Sequence, residues 1–376
     1  FSFGDYFKRE AIQFHYRLLT EIFGLPKDRL AVTVFSNDDE AYQIWSEEIG
    51  IDPKRIVRMG HETNFWRMGD TGPCGPTSEV MWDQSPHLGV DTIIPGIQAD
   101  EDRFLEICNL VFMQFNRTKA DPEESGRYDT PLPAPGIDTG MGFERITSVI
   151  QGVTSNYETD IFMPIIDAIQ KLSGTTTKQK NENIIPYRVI ADHIRAATFL
   201  ITDGILPGAK GRESVCRLVI RRASRFGFKL GLNEPFLAKL SSAVIEIMGE
   251  HYTELFEHSD FINEVLTREE LRFQRTLEHG INELEEELNA LKSSGQNELS
   301  GEKSFNLKAT HGLPIQVIQD IAKERNFTVD IESFAKEERK HSKISGGGQA
   351  MGYIDAADNY KNTFAILKSD NVLTDT

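Results

Sequence analysis

The sequence predicts an α+β fold, in which a mixed sheet with flanking helices is followed by a mostly helical region. Short β-like runs are mixed with helical segments over residues 1–155, and helical periodicity dominates from residue 156 onward. The 376 residues are enough for two or three domains with a sizeable buried core. Because 39% of the residues are hydrophobic and 26% are charged, the composition is typical of a soluble globular protein.

The first region combines predicted strands with one clear helix. Residues 29–35 ("RLAVTVF") and 55–60 ("RIVRMG") have the composition of strands. Residues 38–50 carry acidic side chains where the first turn of a predicted helix would lie. Residues 104–117 alternate enough to predict a further strand element, and the polar, proline-rich residues 118–136 predict a loop or a hairpin tip.

Three segments of the second region have helical periodicity, at 187–204, 214–231 and 261–294. In the longest, one apolar stripe is formed by Leu277, Ile281, Leu284, Leu288 and Leu291. A coiled-coil partner is one interpretation of this stripe, and packing within its own helical domain is the one we favour. Residues 293–304 predict a linker or a turn, and the three glycines within 345–349 predict a domain boundary.

Charge and cysteine content narrow the functional classes. The net charge of -17 argues against a surface that is basic throughout, although a local basic face could still bind nucleic acid. The cysteines Cys74, Cys108 and Cys216 are far apart and form no CxxC pair, so neither a disulfide framework nor a cysteine zinc site is indicated. A reducing cytoplasm is the simplest setting.

The ends of the sequence carry expectations of their own. No stretch approaches the roughly 20 apolar residues of a membrane span, and no basic-then-apolar leader is visible. The first residue is Phe1 rather than methionine, which suggests that the true N-terminus is missing. The β-like tail after residue 349 suggests a domain that is cut off before completion.

Two segments contain polar residues in otherwise apolar surroundings. Residues 64–79 hold two Gly-Pro steps and Trp66, whose flat face could contact a base; a tight loop over an apolar plug is an equally good interpretation. Asn109 is a lone amide in an apolar run and would point opposite to Cys108 and Leu110 on a strand. A buried asparagine requires a hydrogen-bond partner, and taken alone a structural role is the better explanation.

A third segment, 138–145 ("DTGMGFER"), combines an acid, two glycines and an arginine. Asp138 could pair with an ammonium group, and Gly140 and Gly142 would let the strand approach a planar ligand closely. Arg145 could neutralise phosphate charge or stack on a purine. A helix is expected to begin near Phe143. The alternative is a strand–turn–helix with an N-capping acid, which does not explain why these residues occur together with the Gly-Pro segment.

Longer strings make a family resemblance specific. They are "FSFGDYFK", "DDEAYQIW", "NFWRMGDTGPCGPTSEV", "NLVFMQFNR", "DTGMGFERI" and "SNYETDIF". Their order and spacing resemble those of the alanyl-tRNA synthetase family from residue 1 to about residue 344. The resemblance implies a class II synthetase catalytic domain with an antiparallel mixed sheet at 1–155 and a helical tRNA-recognition domain at 156–344. Residues 345–376 would be a linker and the incomplete start of a β-barrel.

The resemblance implies an alanine–tRNA ligase. Members of the family join L-alanine to ATP with the help of Mg²⁺ and transfer the alanine to the 3' end of tRNA(Ala). The implied partners are L-alanine and the tRNA acceptor stem, with no membrane, whereas the oligomeric state is not indicated. The family's zinc-dependent editing domain carries HxxxH and CxxxH motifs, and neither spacing occurs among the nine histidines. We therefore expect no editing and no zinc site in this chain.

The resemblance also implies roles for individual residues. Asp138 would hold the alanine ammonium group, Asn109 would hydrogen-bond to it and to the nucleotide, and Arg145 would bind the triphosphate, so these three are the implied catalytic residues. Trp66 would help to form the pockets for the nucleotide and for alanine. The implied ATP-binding residues are Lys8, Trp66, Ile107, Cys108, Asn109, Gly142 and Arg145. Cys108 stands where the family usually has tryptophan; its contact would be through the backbone, as would that of Ile107.

A basic helix would supply the RNA contacts. Arg217, Arg221 and Arg225 follow one another at four-residue steps and share one helical face, with Arg212, Arg222 and Lys229 nearby. This face could bind the phosphates of the acceptor stem, and a solvated basic face is the alternative.

Two departures from the family pattern bear on activity. Ala209 and Ala309 stand where the family has an asparagine and an aspartate that are thought to read the acceptor stem. The second-motif arginine that grips the α-phosphate would precede Phe1, so we expect the sequence as given not to be fully active.

Two other functional classes remain open. A non-catalytic synthetase-like RNA-binding protein would have no use for the pocket set of Trp66, Asn109, Asp138, Gly142 and Arg145. An ATP-dependent alanine ligase with an acceptor other than tRNA is compatible with the changed tRNA-reading positions.

Overall fold

The computed structural model describes residues 1–121 and 123–344, which divide into two compact units. The first unit extends from Phe1 to Pro164, and the second begins at Ile165. No helix in the described part of the chain is long and apolar enough to cross a membrane. The predicted boundary at 345–349 and the predicted start of a β-barrel lie outside the described residues.

The first unit is built on a mixed sheet, as predicted. Its strands are β1 Ser2–Phe3, β2 Leu30–Phe35, β3 Ile56–Met59, β4 Phe65–Arg67, β5 Gly72–Asp83, β6 Phe104–Arg117 and β7 Asp129–Met141. The spatial order is β1-β7-β6-β5-β2-β3, with β4 paired to β5. The pairs are antiparallel apart from β2 with β3. The strands predicted at 29–35, 55–60 and 104–117 are confirmed.

Short helices connect these strands. They are α1 Lys8–Arg17, α2 Asp39–Gln43, α3 His61–Asn64, α4 Ile93–Gln98 and α5 Phe143–Gln151. Both α1 and α2 continue into a π-helical turn, and the helix predicted at 38–50 is confirmed with this change of geometry. On one face of the sheet, Ile12 of α1, Trp45 and Phe112 of β6 belong to a single buried core. On the opposite face, Ile93 and Ile97 of α4 form a second buried core with Ala31 and Val57. Polar groups remain accessible on the part of this face that α4 does not cover.

Regular structure occurs in two segments predicted as loops or linkers, and in the Gly-Pro segment, for which a tight loop was one of two interpretations. Residues 129–136 are part of β7. Most of this stretch is a sheet edge, because β1 pairs only with residues 136 and 137. Prolines are tolerated in an edge strand because the missing N–H groups cost no ladder bonds there. The Gly-Pro segment forms the hairpin of β4 and β5 rather than a tight loop. Residues 293–304 include a short strand and a helix start.

The second unit is mostly helical, as predicted. Its helices are α6 Met163–Ser173, α7 Thr177–Glu182, α8 Ile185–Thr202, α9 Gly211–Lys229, α10 Leu237–Met248, α11 Glu254–Glu257, α12 Ser259–Ser293, α13 Gly301–His311, α14 Ile315–Glu324 and α15 Ile331–Ile344. A small parallel pair is formed by β8 Glu298–Leu299 and β9 Thr328–Val329. The helices predicted at 187–204, 214–231 and 261–294 are confirmed as α8, α9 and α12.

The apolar stripe of α12 packs inside its own unit. Leu277, Leu284 and Leu288 share a buried core with Leu307 of α13 and Val317 of α14. Partners from the same unit therefore cover the stripe, as favoured, and no coiled-coil partner is needed for these residues.

Candidate active site

A cavity of about 530 Å³ opens on the accessible face of the first unit's sheet. Residues of α3, β4, β5 and β6 line it, together with Glu124. Strand register places Glu79, Asn109 and Gly140 opposite one another across β5, β6 and β7. The next row on the same face holds Thr77, Val111 and Asp138. The sheet thus brings the predicted Asn109 and Asp138 to one surface, two residues apart in register.

Trp66 reaches the cavity because β4 folds back onto β5. It lies opposite Gly75 in the register and lines the cavity between Phe65 and Arg67. A Cβ atom at residue 75 would lie 1.9 Å from the Phe112 carbonyl oxygen, which no side chain can accommodate. Glycine at this position lets β5 approach β6 and so sets the position of the hairpin that carries Trp66.

Asn109 is oriented as the alternation of β6 predicted. Its neighbours Cys108 and Leu110 are fully buried on the core side, whereas Asn109 is half-buried at the cavity. The side-chain Oδ1 accepts a hydrogen bond from the Gly140 N–H at 3.1 Å. With its oxygen held by β7, the amide group presents its Nδ2 donors for a ligand. Burial raises the pKa of the Cys108 thiol to about 12, so this thiol is not a nucleophile at neutral pH.

Asp138 is exposed, and its Oδ1 accepts a hydrogen bond from the Thr139 N–H at 2.9 Å. No lysine or arginine pairs with it among the residues that the structure describes. A carboxylate with a fixed orientation and an uncompensated charge is suited to an ammonium ligand.

Arg145 lies at the start of α5 and is held toward the same sheet. Its Nη1 donates to the Glu106 carbonyl oxygen at 2.9 Å and to Glu106 Oε2 at 3.0 Å, and its side chain remains 44% exposed. Gly142 precedes it, and a Cβ there would lie 3.0 Å from Arg145 Cδ. The Gly142 N–H donates to the Ile107 carbonyl at 3.2 Å, so this backbone oxygen of Ile107 already has a partner within the protein.

Two carboxyl groups that sequence reasoning missed lie beside these residues. Glu79 Oε2 accepts from Thr33 Oγ1 at 3.1 Å, and Thr33 Oγ1 in turn accepts from Asn64 Nδ2 at 2.8 Å. Burial and then the Glu106 carboxylate raise the pKa of Glu79 to about 7, against the Thr33 hydrogen bond and Arg145. The available signal was weak: Glu79 alternates in phase with Thr77, and Glu106 is three residues before Asn109.

Comparison with known proteins identifies the family. The family model described as tRNA synthetases class II (A) matches residues 1–373. The chain belongs to this family. It is 47% identical to the alanine–tRNA ligase of Lawsonia intracellularis and 49% identical to that of Nitratidesulfovibrio vulgaris, in each case over 93% of this chain and 39% of the relative. The alanine–tRNA ligase of Halorhodospira halophila is 46% identical over 95% of this chain and 40% of its own length. The chain thus spans about two fifths of the length of these relatives.

Lys8, which the class II synthetase resemblance assigned to ATP, is not among the residues that line the cavity. Its Nζ lies 2.7 Å from Asp38 Oδ1 and 3.1 Å from Glu40 Oε2, at the start of α2. The side chain is buried, and α1 packs on the core face of the sheet beside Phe112. Lys8 therefore neutralises the α2 N-terminal acids in this arrangement, and its contact with ATP stays a prediction.

The arginines of α9 do share one face, but most of that face is covered rather than open to solvent. Arg221 Nε donates to Glu269 Oε1 at 2.8 Å and its Nη1 to the Gly312 carbonyl at 2.6 Å. Arg222 and Arg225 donate to Asp320 and Glu324 of α14 at 2.8 and 2.9 Å. Arg221 is 7% exposed and Arg225 3%, because this face of α9 packs against the acidic residues of α12 and α14.

The remaining members of the predicted RNA set are more accessible. Arg217 lies 3.6 Å from Glu269 Oε1 and is partly exposed, and Arg212 at the start of α9 is exposed. Ala209 and Ala309, the two departures from the synthetase pattern, are both exposed. A role of the five arginines in tRNA binding stays a prediction.

Proposed function

We propose that this chain carries the amino-acid-activating site of an alanine–tRNA ligase. The reaction joins L-alanine to ATP, giving alanyl-adenylate and pyrophosphate, and the alanyl group then passes to the 3' end of tRNA(Ala). The observation that carries the proposal is the sheet register that brings Asn109 and the unpaired Asp138 to one face. The membership in the class II synthetase family supports it, as does the similarity to three alanine–tRNA ligases.

In the proposed mechanism, Asp138 holds the alanine ammonium group and Asn109 donates a hydrogen bond to the substrate. The alanine carboxylate is already ionised at neutral pH, so its oxygen can attack the α-phosphate without a general base. The bond from the α-phosphorus to the bridging oxygen breaks, and pyrophosphate leaves with that electron pair. The protein contributes positioning and charge stabilisation.

The nucleotide would lie against the same sheet. Arg145, which is half exposed beside Glu106, supplies a guanidinium group for the phosphates. Gly142 keeps the path beside Arg145 free of a side chain, and Trp66 offers an aromatic face at the cavity wall. Backbone groups of Ile107 and Cys108 on β6 would complete the contacts to ATP.

The two carboxyl groups of Glu79 and Glu106 fit a Mg²⁺ ion that accompanies ATP. Burial is the main cause of the raised pKa of Glu79 and the neighbouring Glu106 carboxylate adds to it, so a divalent cation would favour the ionised form of Glu79. Magnesium in nucleotide sites takes one or two carboxylates together with phosphate oxygens and water. Among the described residues, no group of three or more acidic, histidine or cysteine side chains is arranged to hold a metal ion by itself. When bound, the ion would neutralise phosphate charge.

The proposed setting is the cytoplasm. Cys74, Cys108 and Cys216 are free thiols and buried, which suits a reducing compartment.

Alanine-dependent exchange of pyrophosphate into ATP, followed by charging of tRNA(Ala), tests the proposal on the full-length protein. Exchange with alanine and charging of the tRNA are the expected results. Absence of exchange with every amino acid would overturn the enzyme proposal and favour a non-catalytic RNA-binding protein. Exchange without charging would favour an ATP-dependent alanine ligase with another acceptor.

A further inference from the structure

The long helix α12 carries an exposed arginine stripe that no part of the proposed adenylation site uses. Arg268, Arg272 and Arg275 follow one another at spacings of four and three residues, so they lie on one face. All three side chains are exposed, and they line a shallow groove of about 740 Å³ together with Asn263, Glu264, Thr267 and Leu271. From the first to the last arginine, the stripe extends about 10 Å along the helix axis.

Among the residues that the structure describes, few carboxylates lie close to the arginines of this stripe. Arg268 has one acidic neighbour, Glu264, at 3.8 Å, and both side chains are about two thirds exposed. An exposed pair at that distance contributes little attraction. Within the described residues, neither Arg272 nor Arg275 pairs with a carboxylate. This contrasts with α9, where Arg221, Arg222 and Arg225 each have an acidic partner within 3 Å.

Excess positive charge continues from α12 to the neighbouring part of α9. Glu269 Oε1 lies 2.7 Å from Arg221 and 3.6 Å from Arg217. One carboxylate is therefore shared by two guanidinium groups. Burial lowers the pKa of Arg217, Glu269 raises it, and the cations Arg221 and Arg272 lower it further. In a chain with a net charge of -17, a local excess of unpaired arginine requires a reason.

We infer that the stripe of Arg268, Arg272 and Arg275 is a contact surface for the phosphate backbone of RNA. This inference rests on the proposed function, which makes tRNA the substrate, and it assigns that substrate to exposed α12 residues rather than to the buried part of α9. Arginine forks match phosphate oxygens, and the amide of Asn263 and the hydroxyl of Thr267 can donate to phosphate or sugar oxygens. The surface has few apolar anchors, with Leu271 half exposed, which disfavours a protein partner.

Binding of a tRNA(Ala) transcript to the full-length protein at several KCl concentrations tests the inference. The variant Arg268→Gln/Arg272→Gln/Arg275→Gln should bind about tenfold or more weakly at 0.1 M KCl. The slope of log affinity against log salt should become shallower by about two to three, because each lost phosphate contact removes about one released counterion. The triple lysine variant should keep most of the slope, since it keeps the charge. Should the glutamine variant fail to fold, Arg272→Gln alone should reduce the slope by about one.

A matched control separates this effect from net charge. Arg17→Gln/Lys178→Gln/Arg339→Gln removes the same charge from exposed sites elsewhere and should leave the slope as it is. Equal effects of the two glutamine triples, or no effect of the α12 triple, would overturn the inference. Alanine-dependent pyrophosphate exchange is measured in parallel. Its absence in the unmodified protein would refute the proposed function, whereas normal exchange with an unchanged salt slope would refute only the RNA surface.

Discussion

The two units of the molecule hold buried charge in different ways. In the first unit, Glu79 lies beside a second carboxyl group, that of Glu106, on the wall of a cavity. In the second unit, Glu270 of α12 accepts the N–H groups of Phe236 and Leu237 at 3.1 and 3.0 Å, at the start of α10. Burial is the largest cause in both cases, and the pKa of each glutamate is raised to about 7.

The similar pKa values of Glu79 and Glu270 therefore indicate different roles for the two side chains. Glu270 and the arginines of α9 have partners supplied by their own unit, so their charge is used in folding. Glu79 has the carboxylate of Glu106 as its neighbour, and Arg145 pairs with Glu106 rather than with Glu79, so a cation from outside would compensate the charge of Glu79. A perturbed pKa indicates a functional site when the neighbouring groups add to the uncompensated charge of the residue rather than neutralise it. Four substitutions, taken from the largest expected effect to the smallest, test this contrast.

Arg221→Met should have the largest effect, and on stability alone. It leaves Glu269 buried with only the more distant Arg217, and breaking one side of a buried pair costs about 3–5 kcal/mol. We expect the urea midpoint to fall accordingly, with the alanine KM unchanged in the folded protein. Arg212→Met changes an exposed arginine of the same helix and should cost less than about 0.5 kcal/mol. Equal midpoints for the two variants would show that the α9 pairs do not stabilise the unit.

Asp138→Asn should have the next largest effect, and on substrate binding alone. The amide keeps an acceptor for the Thr139 N–H but loses the charge that faces the ammonium group. Loss of a charge partner at a binding site costs about 2–5 kcal/mol, so the alanine KM should rise about 30-fold or more in pyrophosphate exchange. The ATP KM should change little. Asp28→Asn, an exposed position in the same unit, is the control. Equal rises in both KM values would refute the ammonium role.

Much of the site could be predicted because strand alternation and family strings are local signals. The orientation of Asn109 followed from the alternation of side chains in β6, and the expected start of a helix near Phe143 is confirmed by α5. Whether the arginine face of α9 lies toward solvent or toward the protein interior could not be predicted in this way. Four-residue spacing places arginines together, but their acidic partners are 48 to 99 residues away in the sequence. The proline-rich part of β7 was missed because an unpaired edge removes the local penalty of proline.

Glu79→Gln should reduce activity without destabilising the fold, which sharpens the contrast with Arg221. The amide keeps the hydrogen bond with Thr33 but removes one of the two carboxylates proposed to hold Mg²⁺. We expect alanine-dependent exchange to fall about 10- to 100-fold, with the loss in the Mg·ATP KM or in kcat rather than in the alanine KM. The urea midpoint should not fall, since the substitution removes the repulsion between the half-buried Glu79 and the Glu106 carboxylate. Glu47→Gln is the exposed control. A lower midpoint with normal exchange would assign Glu79 to folding instead.

Glu270→Gln should have the smallest effect, visible only in the pH dependence of stability. Since the folded-state pKa of Glu270 is about 7 and the unfolded value is near 4.5, the folded state binds more protons between these two values. The contribution of Glu270 to the free energy of unfolding therefore falls as pH rises from about 4.5 through 7. Glutamine cannot ionise, so the variant does not lose stability in this way. From pH 5 to pH 8, the urea stability of the variant should improve relative to the unmodified protein by about 1–2 kcal/mol. Glu286→Gln, an exposed position on the same helix, should show equal differences at both pH values.

Pyrophosphate exchange should be unchanged by Glu270→Gln. A loss of exchange would mean that the second unit's buried carboxylate also serves the reaction, and the contrast between the two glutamates would fail.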